Sequence, residues 1–496
     1  MVTIRMAGRC ALAGLMICGM ATGGMAARAE SLSPVMPFDV AHLPAPDLKD
    51  WNDFAWESFV AANWPVAPGH RGEPDKASKI GAKLPDGSPA PVLWMTSKGV
   101  PDVFLPFGAQ PSSDWTSQAP IKACEAVPGY DAKTSYVLGM TSKTNAGATT
   151  AINQAEFPGS GQVVGPVIDQ NAQYLRYDIR MSESEFQYLL NERYYNAAAQ
   201  IAAVQAVPTT FVDPPKGPEG YVQALPDYAR YGTVEYKASW RMLDPKSDIV
   251  SRYFTAKAFV VEPDGDCHGP HLMGLTGLHI IRLTPTTGAT WVWSTFEQVD
   301  NLTKPPVPPR PDGRSVAATL SNGTTNPAGY NYTPPPVVPG EKLPPGKPVD
   351  VSRVTPIQDA SKPVTSEYQK ALAGTVWANY ELVGVQAPVN PSIDGKTATN
   401  NKGKGSCFVA GTDHAAGAAY QLTDCYLANV SMETYVQSTS CATCHSYGAP
   451  QGVEVPDYDK DKPNPRPTFN ALDTFQIFSF MLKQAKMPMP DKVLPN

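Results

Sequence analysis

Between Pro305 and Pro348 the chain places thirteen prolines in 44 residues. Each proline fixes its own φ and lacks an amide hydrogen, so neither a helix interior nor a central strand can run through such a segment. What remains is extended, polyproline-like chain: a linker, or a strap lying over a surface. The fold must therefore be assembled from residues on either side. This divides the sequence into a leader at 1–29, a region of unassigned role at 30–300, the proline-rich 301–362, and a C-terminal region at 363–496. Proline is frequent elsewhere too, 51 in 496 residues, so long loops are expected throughout. Nine Trp, sixteen Phe and twenty-one Tyr nevertheless supply enough apolar surface for a substantial core.

The leader has the order of a secretory signal. Arg5 and Arg9 precede an apolar run from Cys10 to Met20, and the small-residue triplet Ala27-Arg28-Ala29 follows, which puts cleavage just after Ala29. The apolar run is too short to span a bilayer, so an exported, periplasmic chain without stable membrane insertion is expected. With a net charge of −6 and no cluster of Lys and Arg, the chain offers no footprint for nucleic acid. Export permits disulfides. Cys407 and Cys425 enclose turn-prone Gly411 and Gly417 and are the preferred pair, which leaves Cys124 with Cys267; buried free thiols are the alternative for these four.

Periodicity marks four helices. Trp51, Phe54, Phe59 and Ala62 recur at helical spacing before Pro65. Ser182 and Glu185 form a capping-box pattern ahead of an apolar face from Phe186 to Val204. Pro363 opens a third helix with Tyr368, Leu372, Val376 and Tyr380 on one side. Asn470–Lys486 forms the fourth. Val234–Met242, Tyr253–Val261, Gly277–Thr284 and Thr290–Gln298 are β-rich, and Pro285-Thr286-Thr287-Gly288 supplies a turn between the last two. The expected class is α+β: an antiparallel sheet with helices packed on it, then the proline-rich strap, then a mostly α-helical C-terminal region.

Cys441-Ala442-Thr443-Cys444-His445 carries the most specific chemistry. Two thiols three positions apart lie on one side of a helical turn, where each can add to a haem vinyl group, and the next residue's imidazole is held as an axial ligand. A redox-active Cys-x-x-Cys lacks its βαβ setting here, and a zinc site lacks a second cysteine pair.

On this motif the stretch from Leu427 to Asn496 resembles the c-type cytochromes. The resemblance implies one covalently attached haem c on Cys441 and Cys444, with His445 as proximal ligand. Ala428–Ser440 resembles the helix that leads into the attachment site of class I members. Met487-Pro488 and Met489-Pro490 resemble the segment that supplies their sixth ligand, which implies Met487, with Met489 as the alternative. Such ligation suits single-electron exchange with a partner protein or a small-molecule donor or acceptor. The candidate helix here precedes the methionines instead of following them.

Two other groups have a chemical look. His279 lies inside a strand, with Glu297, Trp291 and Trp293 on the facing one, an acid–base pair with aromatic walls that would suit peroxide or oxygen chemistry on a small organic substrate. A satisfied half-buried histidine and an exposed glutamate explain the same letters. His268 and His271, beside Asp264, Asp266 and Cys267, read more simply as a loop held by a disulfide than as a metal site. The sequence thus supports an electron carrier first, a haem-dependent oxidoreductase second, and a haem-bearing binding module without turnover third.

Overall fold

The computed structural model describes residues 32–42, 46–140, 152–154, 164–206, 210–287, 291–308, 316–389, 408–410, 419–422, 426–445 and 480–488. The leader, Cys407, Cys425, His414, Met489 and most of the Asn470–Lys486 stretch lie outside them. The class is α+β, built on a sheet of eight strands. In chain order these are β1 (Lys98–Gly99), β2 (Tyr136–Leu138), β3 (Arg176–Met181), β4 (Val234–Met242), β5 (Thr255–Val261), β6 (Cys267–Arg282), β7 (Val292–Gln298) and β8 (Tyr380–Gln386). The spatial order is β1-β3-β4-β6-β5-β2, with β7 also on β6 and β8 on β7; β2 and β5 run parallel and the other neighbours antiparallel. Strand β6 is long enough to pair with β5 through its first half and with β7 through its second along the same edge.

Helix α1 (Leu48–Ala62) starts where Asp47 accepts from the Asp50 amide and the Asp50 carboxylate accepts from the Asp47 amide in return. Its Trp51, Phe54, Trp56 and Phe59 are buried on one face of the sheet. Helix α2 (Glu183–Asn191) begins on Ser182, whose hydroxyl accepts from the Glu185 amide. The reciprocal half of the expected capping box is absent. Glu185 is instead buried against Glu235, and burial with that neighbouring charge pushes its pKa well above the carboxylate range.

Three sequence expectations need correction. The apolar face from Phe186 to Val204 belongs to two helices, because Arg193 adopts φ 61° and Asn196 caps a new one, α3 (Ala197–Gln205), by accepting from the Ala198 amide. The third helix, α4 (Ser361–Ala371), stops at Gly374, whose φ of 83° lies in the left-handed region; Tyr380 then opens β8 instead of continuing a helical face. Ala428–Ser440 is not a helix but a loop of successive turns. Its Asn429, Ser431 and Thr434 spend their side chains on local backbone and on the sheet, the competition that disfavours helix.

Residues 316–351 carry no helix or sheet strand, as their prolines require, yet they are tightly packed. Leu320, Val349 and Val351 are fully buried with Leu175, Tyr177 and Val430. Beyond them the chain returns to the sheet: α4 packs on α1, and β8 pairs with β7. Residues on both sides of the proline-rich segment thus build one sheet. A disulfide joins Cys124 to Cys267 at the start of β6. No described helix is long and apolar enough to cross a membrane.

Candidate functional site

The Cys-x-x-Cys-His motif forms a short helix, α5 (Cys441–His445), on the sheet face opposite α1. What holds it there is the preceding loop, Leu427–Ser440. The Leu427 amide donates to the Thr439 carbonyl and closes the loop at its base. The Asn429 amide group donates to Thr295 Oγ1 and the Phe296 carbonyl, both at 2.9 Å, and the Val430 amide donates to Glu297 Oε1 at 2.8 Å. Ser431 meets Ser239 hydroxyl to hydroxyl at 2.6 Å, and Ser440 donates to Gln386 Oε1 at 3.1 Å. Strands β4, β7 and β8 therefore all grip the loop. Gly277 on β6 lets it approach, since a Cβ there would stand 2.6 Å from Ser431 Oγ.

Cys441 packs against Ile281, Trp291, Trp293, Val383 and Leu427. Burial pushes its thiol pKa well above the ordinary value, with the charge of Glu433 and the neighbouring Cys444 adding to the rise. Neither cysteine is in a disulfide, and both are half-buried. The His445 ring lies 5.8 Å from that of Trp293 and 5.0 Å from that of Phe480, both tilted. Trp293 is 3 % exposed, and its buried indole N–H has no hydrogen-bond partner among the described residues. Two reduced thiols and an imidazole on one helical turn, beside aromatic walls with an unused donor, fit a covalently held, planar, carboxylate-bearing group such as haem.

The two strand candidates are engaged separately. His279 pairs in register with Thr295, not Glu297, and its Nε2 lies 3.2 Å from Glu433 Oε1. The other oxygen of Glu433 accepts from the Asn429 amide, so this carboxylate ties loop to sheet. Glu297 is 1 % exposed and forms an ion pair with Arg353 at 2.6 Å while accepting from Val430. The structure thus makes Glu297 a buried anchor of the loop instead of the exposed acid that its strand position allows.

Sequence reasoning missed Glu381, which lies opposite Glu297 in register. Burial, reinforced by the Glu297 charge and opposed by Arg353, raises its pKa to about 7. It missed Arg353 and Glu433 as well, because a lone charge in a loop carries no periodic or motif signal. Met487 is 56 % exposed, following Lys486, whose carbonyl accepts from the Ala197 amide.

At the other end of β6, His268 joins His271 Nε2 at 2.5 Å and Glu262 at 3.0 Å, and Glu262 pairs with Arg176 at 2.7 Å. Among the described residues no group of three or more His, Cys, Asp or Glu is arranged to hold a metal ion. Compared with protein-family models, curated proteins and solved structures, the chain matches none.

Proposed function

We propose that this chain is an exported c-type haem protein that passes single electrons to or from a partner protein or small molecule. The observation that carries the reading is the helical turn bearing two reduced thiols and His445, docked between Trp293 and Phe480. Cys441 and Cys444 would hold the group: each S–H adds across a vinyl C=C, sulfur to one carbon and hydrogen to the other, so nothing is released. His445 would be the proximal ligand and Met487 the distal one, with Met489 as alternative. A haem held there supplies reversible one-electron chemistry at iron.

The rest of the work falls to the chain. Trp293 and Phe480 flank the His445 ring, Trp291 packs in the apolar cluster against Cys441, and the Trp293 N–H would donate to an acceptor on the bound group. The Glu297–Arg353 pair and the Glu433–His279 contact hold the loop that positions α5. The expected helix Asn470–Lys486 does not run to its end, since Leu482–Gln484 is a single tight turn and Ala485 is extended, so further helical structure in 363–496 would come from the part before Phe480, and the leader would be cut near Ala29.

The test is spectroscopy of the purified full chain. A haem that stays attached in denaturant, is lost on Cys441→Ser with Cys444→Ser, and is low-spin and six-coordinate supports the reading. A high-spin haem that binds cyanide readily moves the assignment to a haem-dependent oxidoreductase. A chain without covalent haem removes the proposal.

A further inference from the structure

The packed part of the proline-rich segment carries a group of polar residues with a reactive geometry of its own. Asn322-Gly323 is the one Asn-Gly pair in the chain, and both residues are exposed. Gly323 adopts φ 95°, in the left-handed region that side chains strain, and no Cβ shields its amide nitrogen. The Asn322 side chain closes an Asx turn: its Oδ1 accepts from the Thr324 amide at 2.9 Å and from the Thr324 hydroxyl at 2.7 Å. Such a turn folds the carboxamide carbon back toward the nitrogen of the next residue, here Gly323. Two donors on one oxygen are also the arrangement that stabilises the negative charge it gains when its carbon is attacked.

The attacking nitrogen has a partner as well. The Gly323 N–H donates to Ser321 Oγ at 3.1 Å, and the Ser321 hydroxyl donates to Asp350 Oδ1 at 3.3 Å. Ser321 and Asp350 are buried, and Asp350 is fixed by the Asn322 amide at 2.7 Å on Oδ1 and by Asn326 Nδ2 at 2.9 Å on Oδ2. A carboxylate that reaches an N–H through a hydroxyl is a path for its proton. We propose that Asn322 is a self-modifying site whose conversion the fold accelerates. The Gly323 nitrogen attacks Asn322 Cγ, the N–Cγ bond forms and the Cγ–Nδ2 bond breaks. The proton taken from Gly323, relayed through Ser321, leaves with Nδ2 as ammonia. Water then opens the succinimide at either carbonyl, to aspartate or isoaspartate, and the chain gains one negative charge close to Asp350. The site is separate from α5 and does not depend on the haem reading.

Incubation of the full-length protein at neutral pH tests it, with ammonia release and peptide mass spectrometry as readouts, against a synthetic peptide of residues 318–328. The folded chain should convert at Asn322 about tenfold faster than the peptide. Ser321→Ala should remove most of that advantage in the folded chain while the same change in the peptide has no effect. Thr324→Val, which loses the hydroxyl and keeps the amide, should slow the folded chain severalfold. The proposal is overturned if the folded chain converts no faster than the peptide, or if Ser321→Ala leaves its rate unchanged. Should Ser321→Ala fail to fold, Thr324→Val, at an exposed position, and the peptide comparison decide between them.

Discussion

The two faces of the sheet are held in opposite ways. On the α1 face, Trp56 stacks on Tyr368 at 5.1 Å and meets Phe296 edge-on at 5.0 Å, and Phe59 lies 4.2 Å from Phe296. That face is an aromatic core whose stability scales with buried area and tolerates small shifts. On the α5 face, the loop also buries Val430, Met432 and Tyr435, but the strands hold it through Asn429, Val430, Ser431, Glu433 and Ser440, so directional bonds and a buried ion pair add to packing in fixing its position. Packing on the first face keeps the protein folded. Polar anchoring on the second sets where α5 stands, because a short helix at the end of a non-helical loop has little area of its own to fix it.

Variants can break this contrast. Trp56→Ala, at a fully buried position, should cost about 4 kcal/mol in denaturant unfolding, while the absorption spectrum of the molecules that remain folded stays that of the natural protein. Glu297→Ala should cost less, about 3 kcal/mol, by leaving Arg353 unpaired and the Val430 amide without its acceptor. Unlike Trp56→Ala, it should also shift the spectrum and reduction potential of the haem proposed for α5, because the loop before α5 loses its anchor. Equal spectral shifts from both variants would erase the distinction between the faces.

The α5 face should also carry a pH dependence. Glu381 is a carboxyl raised from 4.5 to about 7, so the folded chain holds its proton after the unfolded chain has released it. The stability it contributes is complete below the unfolded value and is lost as pH rises toward about 7. Screening at its partly exposed edge keeps the loss to about 2 kcal/mol. Glu381→Gln removes the titration, so melting curves at about pH 5 and pH 8 should differ less for the variant than for the natural chain. The same difference in both would show that Glu381 is not the group responsible.

Much of the first face was legible in the sequence, and much of the second was not. Enrichment in β-branched and aromatic residues gave β4 as Val234–Met242 and the far ends of β5 and β7, but the first ten residues of β6 read as a loop because Gly269 and Pro270 lie among them. Helical spacing gave α1, because its Trp51, Phe54 and Phe59 are buried on the sheet. The period failed where local chemistry overrode it: Asn196 caps a helix inside an apolar run, and Gly374 ends α4 before Tyr380. The loop before α5 read as helical only because the resemblance to class I cytochromes c implies a helix there; Val430 and Tyr435 are instead buried against residues far away in the chain, and a single sequence contains no information on such pairings. The Cys441-Ala442-Thr443-Cys444-His445 spacing was legible because it is a local pattern of five residues; its anchors were not, since any polar residue of suitable length could occupy Asn429 or Glu433.

The smallest expected effect tests whether the polar anchoring is shared among many bonds. Tyr177 on β3 is 1 % exposed, and its hydroxyl donates to the Ser431 carbonyl at 3.1 Å, in the middle of the loop. Tyr177→Phe keeps the ring in its packing with Leu175 and Val351 and removes one hydrogen bond, leaving a buried carbonyl without this donor. The cost should be about 1 kcal/mol. Asn429, Val430 and Ser440 still bind β7 and β8, so the loop should keep its place and the spectrum of the proposed haem should stay unchanged. Amide exchange near Ser431 should quicken while that of Asn429 and Val430 does not. If instead exchange quickens across the whole of Leu427–Ser440 and the spectrum moves with it, the loop is a single cooperative latch, and the Glu297 anchor cannot be credited with holding α5 on its own.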